Sequence, residues 1–289
     1  MPLDAPVIST ARGPVQHVDS GGDGAPVLFV HGTPGGCDQG ALMGRFLVDA
    51  GFRVVAPSRP GYLDTPLDDR PTPADQAALH TALLDALGID RVAVVCWSGG
   101  GPSSYSLAAI EPDRVRALVG IAAVSKAYSF AHPSEETILF GRPGTWLMKE
   151  LARHEPKSTV KALVTEEGDL PKDQATALVH EIWDDPARRA WVLEWAGTVT
   201  GRRRAGFDND RAQLEALDLD LGSIVAPTLL VHADTDSDVA YAYSEHAAAA
   251  IPGAVLHTIA GGTHISLWTG PDDAAARAGV VDFLREHPS

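Results

Sequence analysis

Apolar residues recur in two rhythms along this chain, and the switches between them predict its elements. Short, nearly unbroken apolar runs stand at PVLFVH (26–31), RVVAP (53–57), RVAVVC (91–96) and VRALVGIAAV (115–124). Runs of that length, bounded by Gly, Pro and polar clusters, read as strands buried on both faces. Between them lie stretches with helical spacing. QGALMGRFLVDAG (39–51) reads as one helix ended by Gly51, and TPADQAALHTALLDALG (72–88) as another. In the latter, Thr72 suits the N-cap, Pro73 the first helical position and Asp75 the positive helix start, while Gly88 closes it. A further helix runs from the glycines at 99–101 to about Glu111. Strand and helix in alternation predict an α/β fold with a mostly parallel, doubly wound sheet. VISTAR (7–12) and PVQHVD (14–19) alternate instead, and predict an antiparallel hairpin at the sheet edge.

The rhythm breaks after Val124. From Ser125 to about Leu217 no buried strand is evident, only charged amphipathic stretches such as ATALVHEIW (175–183) and ARRAWVLEWAG (187–197). Strands resume at APTLLVHA (226–233) and AVLHTIA (254–260), with helices near 244–251 and 271–286. The expected organisation is a core in two parts, 1–124 and 218–289, with a helical cap at 125–217. Such a cap covers the C-terminal ends of the strands, where open α/β sheets bind ligands.

Composition narrows the partners. The 289 residues carry 23 basic and 38 acidic side chains, a net charge of −15. That charge repels phosphate backbones and anionic membranes, so neither nucleic acid nor membrane is an expected partner. The first residues lack a basic segment followed by an apolar one, the mark of a signal peptide. No run approaches the roughly 18 apolar residues of a membrane span. Cys37 and Cys96 are too few for a disulfide framework, and free thiols in a cytoplasmic setting are expected.

Candidate chemistry gathers where the strands end. In VVCWSGGGPSS (94–104) a buried strand stops at Ser98 and is followed by three glycines. A sharp strand-to-helix turn would expose Ser98 as a nucleophile, with small neighbours letting strand and helix approach. A dinucleotide-binding loop fits less well, because the run from Gly99 lacks the third glycine and no ribose-binding acid follows. A serine nucleophile needs a base, and the base an orienting acid. LLVHADTDSDV (229–239) offers Asp234, Asp236 and Asp238 at one strand end, and IAGGTHISLW (259–268) offers His264 after the last strand. FVHGTPGG (29–36) can turn the Thr33 N–H toward the serine, forming an oxyanion hole with the Gly99 N–H. His31 in that loop shapes the loop rather than acting as a base. Trp97, Trp146, Trp191 and Trp195 are candidates for lining a substrate pocket, although Trp191 and Trp195, four residues apart, equally suit packing between helices.

The blocks HGTPGG, SRPGY and WSGGGP, with the Asp and His loops in order, resemble the α/β-hydrolase superfamily, specifically its capped serine hydrolases, over essentially the whole chain. The expected G-x-S-x-G appears here as C-W-S-G-G. The resemblance places the acid at the end of a G-x-x-D pattern, which singles out Asp236 with Ala233 in the glycine's place. It makes Arg59 of SRPGY a structural support, in a salt bridge or on loop carbonyls. Epoxide hydrolases and dehalogenases of the superfamily carry Asp at the nucleophile position, so Ser98 argues against both. The implied activity is cleavage of a small carboxylic ester by Ser98, Asp236 and His264, with no metal or organic cofactor, in a monomer or homodimer. Alternatives are a proline-specific aminopeptidase using cap acids (Glu135, Glu136, Glu166, Glu167, Glu194), a C–C bond hydrolase, a cofactor-free perhydrolase, and a ligand-binding protein without turnover.

Overall fold

Successive residues of a strand point to opposite faces, and here both faces are covered. In β5 (Val92–Trp97), Val92, Val94 and Cys96 enter one apolar cluster while Ala93, Val95 and Trp97 enter another. A continuous Val-rich run is the sequence consequence of that double burial. The computed structural model describes residues 5–130, 154–270 and 272–288.

Eight strands form one sheet: β1 (Val7–Thr10), β2 (Gly13–Asp19), β3 (Pro26–Val30), β4 (Arg53–Pro57), β5, β6 (Val115–Ile121), β7 (Thr228–Ala233) and β8 (Val255–Ile259), in the order β1-β2-β4-β3-β5-β6-β7-β8. The expected hairpin is present, with β1 and β2 antiparallel and β2 antiparallel to β4; the remaining pairs are parallel. Val30 pairs with Cys96, Trp97 with Ile121, Ile121 with Val231 and Ala233 with Ile259. That register brings the loops after β3, β5, β7 and β8 to one edge of the sheet.

One face carries α3 (Pro73–Ala86), α4 (Gly101–Ile110) and α9 (Ala242–Ala250). At the start of α3, the Thr72 hydroxyl accepts from the Asp75 N–H and the Asp75 carboxylate accepts from the Thr72 N–H, a reciprocal cap. The other face carries α1 (Cys37–Met43), α2 (Arg45–Asp49), the short α10 (Ser266–Thr269) and α11 (Asp273–Glu286). The single helix expected over 39–51 is therefore two. Gly44 ends the first and starts the second, where a Cβ would stand 3.1 Å from Val54 Cγ1 and 3.2 Å from Phe29 Cδ2. Packing against the sheet, not helix propensity, sets that break.

Between β6 and β7 the described chain forms α5 (Pro156–Glu166), α6 (Lys172–Asp184), α7 (Pro186–Gly197) and α8 (Arg204–Leu214). Val160, Val164, Ile182, Val192 and Trp195 from the first three join the apolar cluster that contains Trp97 and Ile265. The inserted helices thus share a core with the sheet edge that carries the candidate residues. Among the described residues, no helix is long and apolar enough to cross a membrane.

Two changes test this framework. A Cβ at Gly100 would lie 2.6 Å from the carbonyl oxygens of both Val30 and His31. Gly100→Ala should therefore destabilise the fold by about 1–3 kcal/mol, the range for overpacking, read as a lower urea midpoint. Asp210 of α8 pairs with Arg59 with both side chains at most 4% exposed. Asp210→Ala, which strands the buried guanidinium, should cost about 3–5 kcal/mol, measured in the same titration.

Candidate active site

Ser98 follows β5 directly and sits at φ +53°, a left-handed conformation that a side chain rarely adopts. A short 3₁₀ turn (Ser98–Gly100) leads into α4. The three glycines each meet a different close neighbour. A Cβ at Gly99 would lie 2.1 Å from Thr33 Oγ1, one at Gly100 would meet the Val30 and His31 carbonyls, and one at Gly101 would lie 2.6 Å from the Val124 carbonyl. Cys96, two residues before Ser98, is fully buried with its Sγ 3.6 Å from the Val119 carbonyl oxygen.

Asp236 and His264 meet as the chain order required. His264 Nδ1–H donates to Asp236 Oδ2 at 2.6 Å, and both side chains are at most 1% exposed. The other oxygen, Oδ1, accepts the N–H groups of Asp238 and Val239, each at 2.9 Å. His232 adds a partner that the sequence did not single out. Its Nε2 faces Asp236 Oδ2 at 3.0 Å and the Val239 carbonyl at 2.9 Å. Two acceptors there place the proton on Nε2 and leave Nδ1, 2.7 Å from Ser244 Oγ, as an acceptor. Its spacing, four residues before Asp236 at a strand end, was the only available signal.

Of the three candidate carboxylates, Asp234 accepts the Gly261 N–H and is exposed, a turn-forming role. Asp238 stands at the other side of the imidazole, with Oδ2 3.3 Å from His264 Nε2. It is not aligned for a hydrogen bond, and Nε2 is buried with no hydrogen-bond partner. Burial works to lower the His264 pKa, but Asp236, Asp238 and Glu167 outweigh it and raise it. Burial works to raise Asp236, but His264 and His232 outweigh it and hold the carboxyl below its usual range. Burial pushes Glu167 up to about 8, with Asp238 adding to the effect.

Thr33 and Gly99 lie side by side, a Gly99 Cβ being 3.4 Å from Thr33 N. The Thr33 N–H makes no hydrogen bond among the described residues, and the Gly99 N–H belongs to a first helical turn, where such groups lack intrahelical partners. Arg59 holds the Thr33 loop. It donates to the carbonyls of His31 (3.2 Å) and Gly32 (3.0 Å) and forms a two-pronged pair with Asp210 at 2.9 and 2.6 Å. The hydroxyls of Thr33 (2.5 Å) and Tyr62 (2.6 Å) also donate to Asp210 Oδ2. Both roles expected of Arg59, salt bridge and carbonyl binder, are present. Asp210 gave no sequence signal, because it comes from a helix of the insertion, 151 residues away. His31 accepts the Arg59 N–H at 2.9 Å and so braces the loop as expected.

Trp97, Trp191, Trp195 and Trp268 pack on one another. Trp97 donates from Nε1 to the His264 carbonyl at 3.2 Å, and its ring lies 4.7 Å from the imidazole. Trp195 is buried against Trp97, with ring centroids 6.0 Å apart. Trp191 stacks on Trp268 at 5.5 Å and lines a surface cleft of about 510 Å³ with Arg45 and Glu194. Neither Ser98 nor His264 lines that cleft. Trp146, Glu135 and Glu136 lie outside the described residues. Cys37 and Cys96 are both buried and unpaired.

Residues 25–271 match the α/β hydrolase fold family. An α/β hydrolase fold protein from Nakamurella multipartita is 44% identical in sequence; the match covers 98% of this chain and 99% of that one, with a TM-score of 0.92. Hydrolase YcgS of Bacillus subtilis is 29% identical over 91% of this chain and 92% of its own length. A 2-hydroxymuconate semialdehyde hydrolase of Pseudomonas putida is 27% identical over 92% of this chain and 89% of its own. The chain belongs to the α/β-hydrolase fold family.

Proposed function

We propose that this protein is a serine hydrolase that cleaves small carboxylic esters through an acyl-enzyme. One observation carries the reading. A serine at positive φ begins a helix at the same sheet edge as a buried histidine whose Nδ1 is held by a carboxylate at 2.6 Å. His264 takes the Ser98 proton as the hydroxyl oxygen attacks the ester carbonyl carbon. Asp236 fixes the imidazole tautomer and stabilises the imidazolium, and His232 steadies Asp236. The Thr33 and Gly99 N–H groups receive the oxyanion, at a helix start that favours negative charge. His264 then protonates the leaving alcohol and activates the water that releases the acid.

Residues 125–217 act as a cap that selects the acyl and alcohol groups. Aspartate stands at the nucleophile position in the epoxide hydrolases and dehalogenases of the superfamily, and Ser98 sets this chain apart from that chemistry. C–C bond hydrolysis is the second reading, favoured by similarity to the Pseudomonas putida enzyme along nearly its full length.

Hydrolysis of p-nitrophenyl acetate, butyrate and octanoate tests the first reading. Turnover in Ser98→Ala should fall by about 10⁴-fold or more, with the fold unchanged by circular dichroism. Undiminished turnover there removes Ser98 from the chemistry, and cleavage of L-proline p-nitroanilide alone moves the protein to the peptidase alternative. The pH profile gives a second test. His264 must be neutral to accept a proton, and its pKa is raised above 6.5. The ascending limb of kcat/KM should therefore lie above pH 6.5. Asp238→Asn removes a charge that favours the imidazolium, so it should move the limb to lower pH.

A further inference from the structure

The turn after α5 is stitched to both loops of the candidate site. The His264 N–H donates to the Glu167 carbonyl at 2.8 Å, the Asp169 N–H to the Thr235 carbonyl at 2.9 Å, and the Ser237 hydroxyl to the Glu166 carbonyl at 3.0 Å. A Cβ at Gly168 would lie 2.6 Å from Thr263 Cγ2, so the turn sits directly on the histidine loop. These contacts hold the Glu167 side chain beside Asp238 and His264. One ligating atom from each of the three residues lies within 4.8 Å of the others. Two polar atoms here are buried without a hydrogen-bond partner, Glu167 Oε2 and His264 Nε2. The esterase mechanism uses Nε2 and leaves Glu167 with no task.

We propose that Glu167, Asp238 and His264 Nε2 form a binding site for a zinc-class divalent cation, and that an ion held there turns the enzyme off. Its fit is geometric at the Asp238–His264 pair, and Glu167, whose ligand atom lies within 4.8 Å of both, would close on the ion. With bonds of about 2.0–2.2 Å to nitrogen and carboxylate oxygen, neighbouring ligands of a tetrahedral zinc stand about 3.3–3.5 Å apart. The Asp238 Oδ2 to His264 Nε2 distance is 3.3 Å. Asp238 flanks the Nε2 direction instead of lying along it, as two ligands of one ion do. His264 is also oriented as a zinc-binding histidine is, with its other ring nitrogen donating to a carboxylate, here Asp236. The Tyr128 hydroxyl contacts the second Asp238 oxygen, Oδ1, at 3.3 Å and leaves Oδ2 to the ion. One imidazole and two carboxylates suit zinc better than magnesium or calcium, which take oxygen ligands.

Inhibition follows from one electron pair. The Nε2 lone pair that forms a coordinate bond to the ion is the pair that would accept the Ser98 proton. No redox step or covalent change is involved, and removing the ion restores the base. The inhibitory half rests on the reading of His264 as that base; the binding half stands without it.

Zinc chloride titrated calorimetrically into the full chain, stripped with EDTA and desalted, decides the binding half. One ion per chain is expected. Glu167→Gln and Asp238→Asn, each close in shape to the original, should each weaken binding about tenfold or more. Thermal unfolding of each variant checks its fold, and whichever folds carries the test. Wild-type binding weaker than about 0.1 mM, or affinity unchanged in both variants, overturns the site. In parallel, zinc should suppress p-nitrophenyl butyrate turnover by the wild type, and half-inhibition in the variants should need about tenfold more or above. Zinc that binds as expected yet leaves turnover intact overturns the inhibitory half. A metal-free chain that hydrolyses no ester fails the esterase reading, while the calorimetry still decides the site.

Discussion

Between the end of β3 and the start of α4 the main chain passes so close to itself that one methyl group on Gly100 would meet two carbonyl oxygens at 2.6 Å. The arrangement at the sheet edge depends on that approach. It lets Ser98 leave the strand at φ +53° and brings the Thr33 loop against Gly99, so two backbone N–H groups lie close together. Neither the serine's strain nor the adjacent N–H pair would survive a larger side chain at these positions. The register of the sheet supplies the rest, because it delivers the Asp236 and His264 loops to the same edge.

Two buried ionic centres then fix what the backbone has assembled. Around Asp236, two histidines and two N–H groups compensate a carboxylate that has left water. Around Asp210, a guanidinium and two hydroxyls do the same. A buried charge is tolerated only where it is paired and hydrogen-bonded. Both centres also tie the inserted helices to the site. Asp210 lies on α8 and holds the Arg59–Thr33 loop, while the turn after α5 carries Glu167 to the far side of the imidazole. The inserted helices therefore contribute to the electrostatics of the site. In acyl transfer, the base and the oxyanion donors must hold their places while charge develops.

The periodic pattern made the central strands legible, because a strand buried on both faces must be apolar throughout; the edge hairpin showed as alternation, and α3 advertises its start through Thr72, Pro73 and Asp75. Ser98, Asp236 and His264 were legible for a related reason. Each stands where an apolar run ends and a loop rich in glycine or aspartate begins, and their order matches the fold. Gly44 shows the opposite case. It interrupts a well-spaced helical pattern, and only the nearness of Val54 and Phe29 turns that interruption into a break.

By itself, the sequence determined the strand grammar, the turn at Ser98 and the place of His264 after the last strand, since these depend on local periodicity and on residues with few neighbours to consult. Tertiary structure alone decided that Asp238 flanks Nε2, opposite the Asp236 carboxylate on Nδ1. It alone paired Arg59 with Asp210, 151 residues apart. It also set His232 behind Asp236 and brought the half-buried Glu167 beside His264. Such choices turn on distances of a few ångströms between side chains far apart in the chain. Coulomb and hydrogen-bond energies change steeply over those distances, and no local pattern of residues records them.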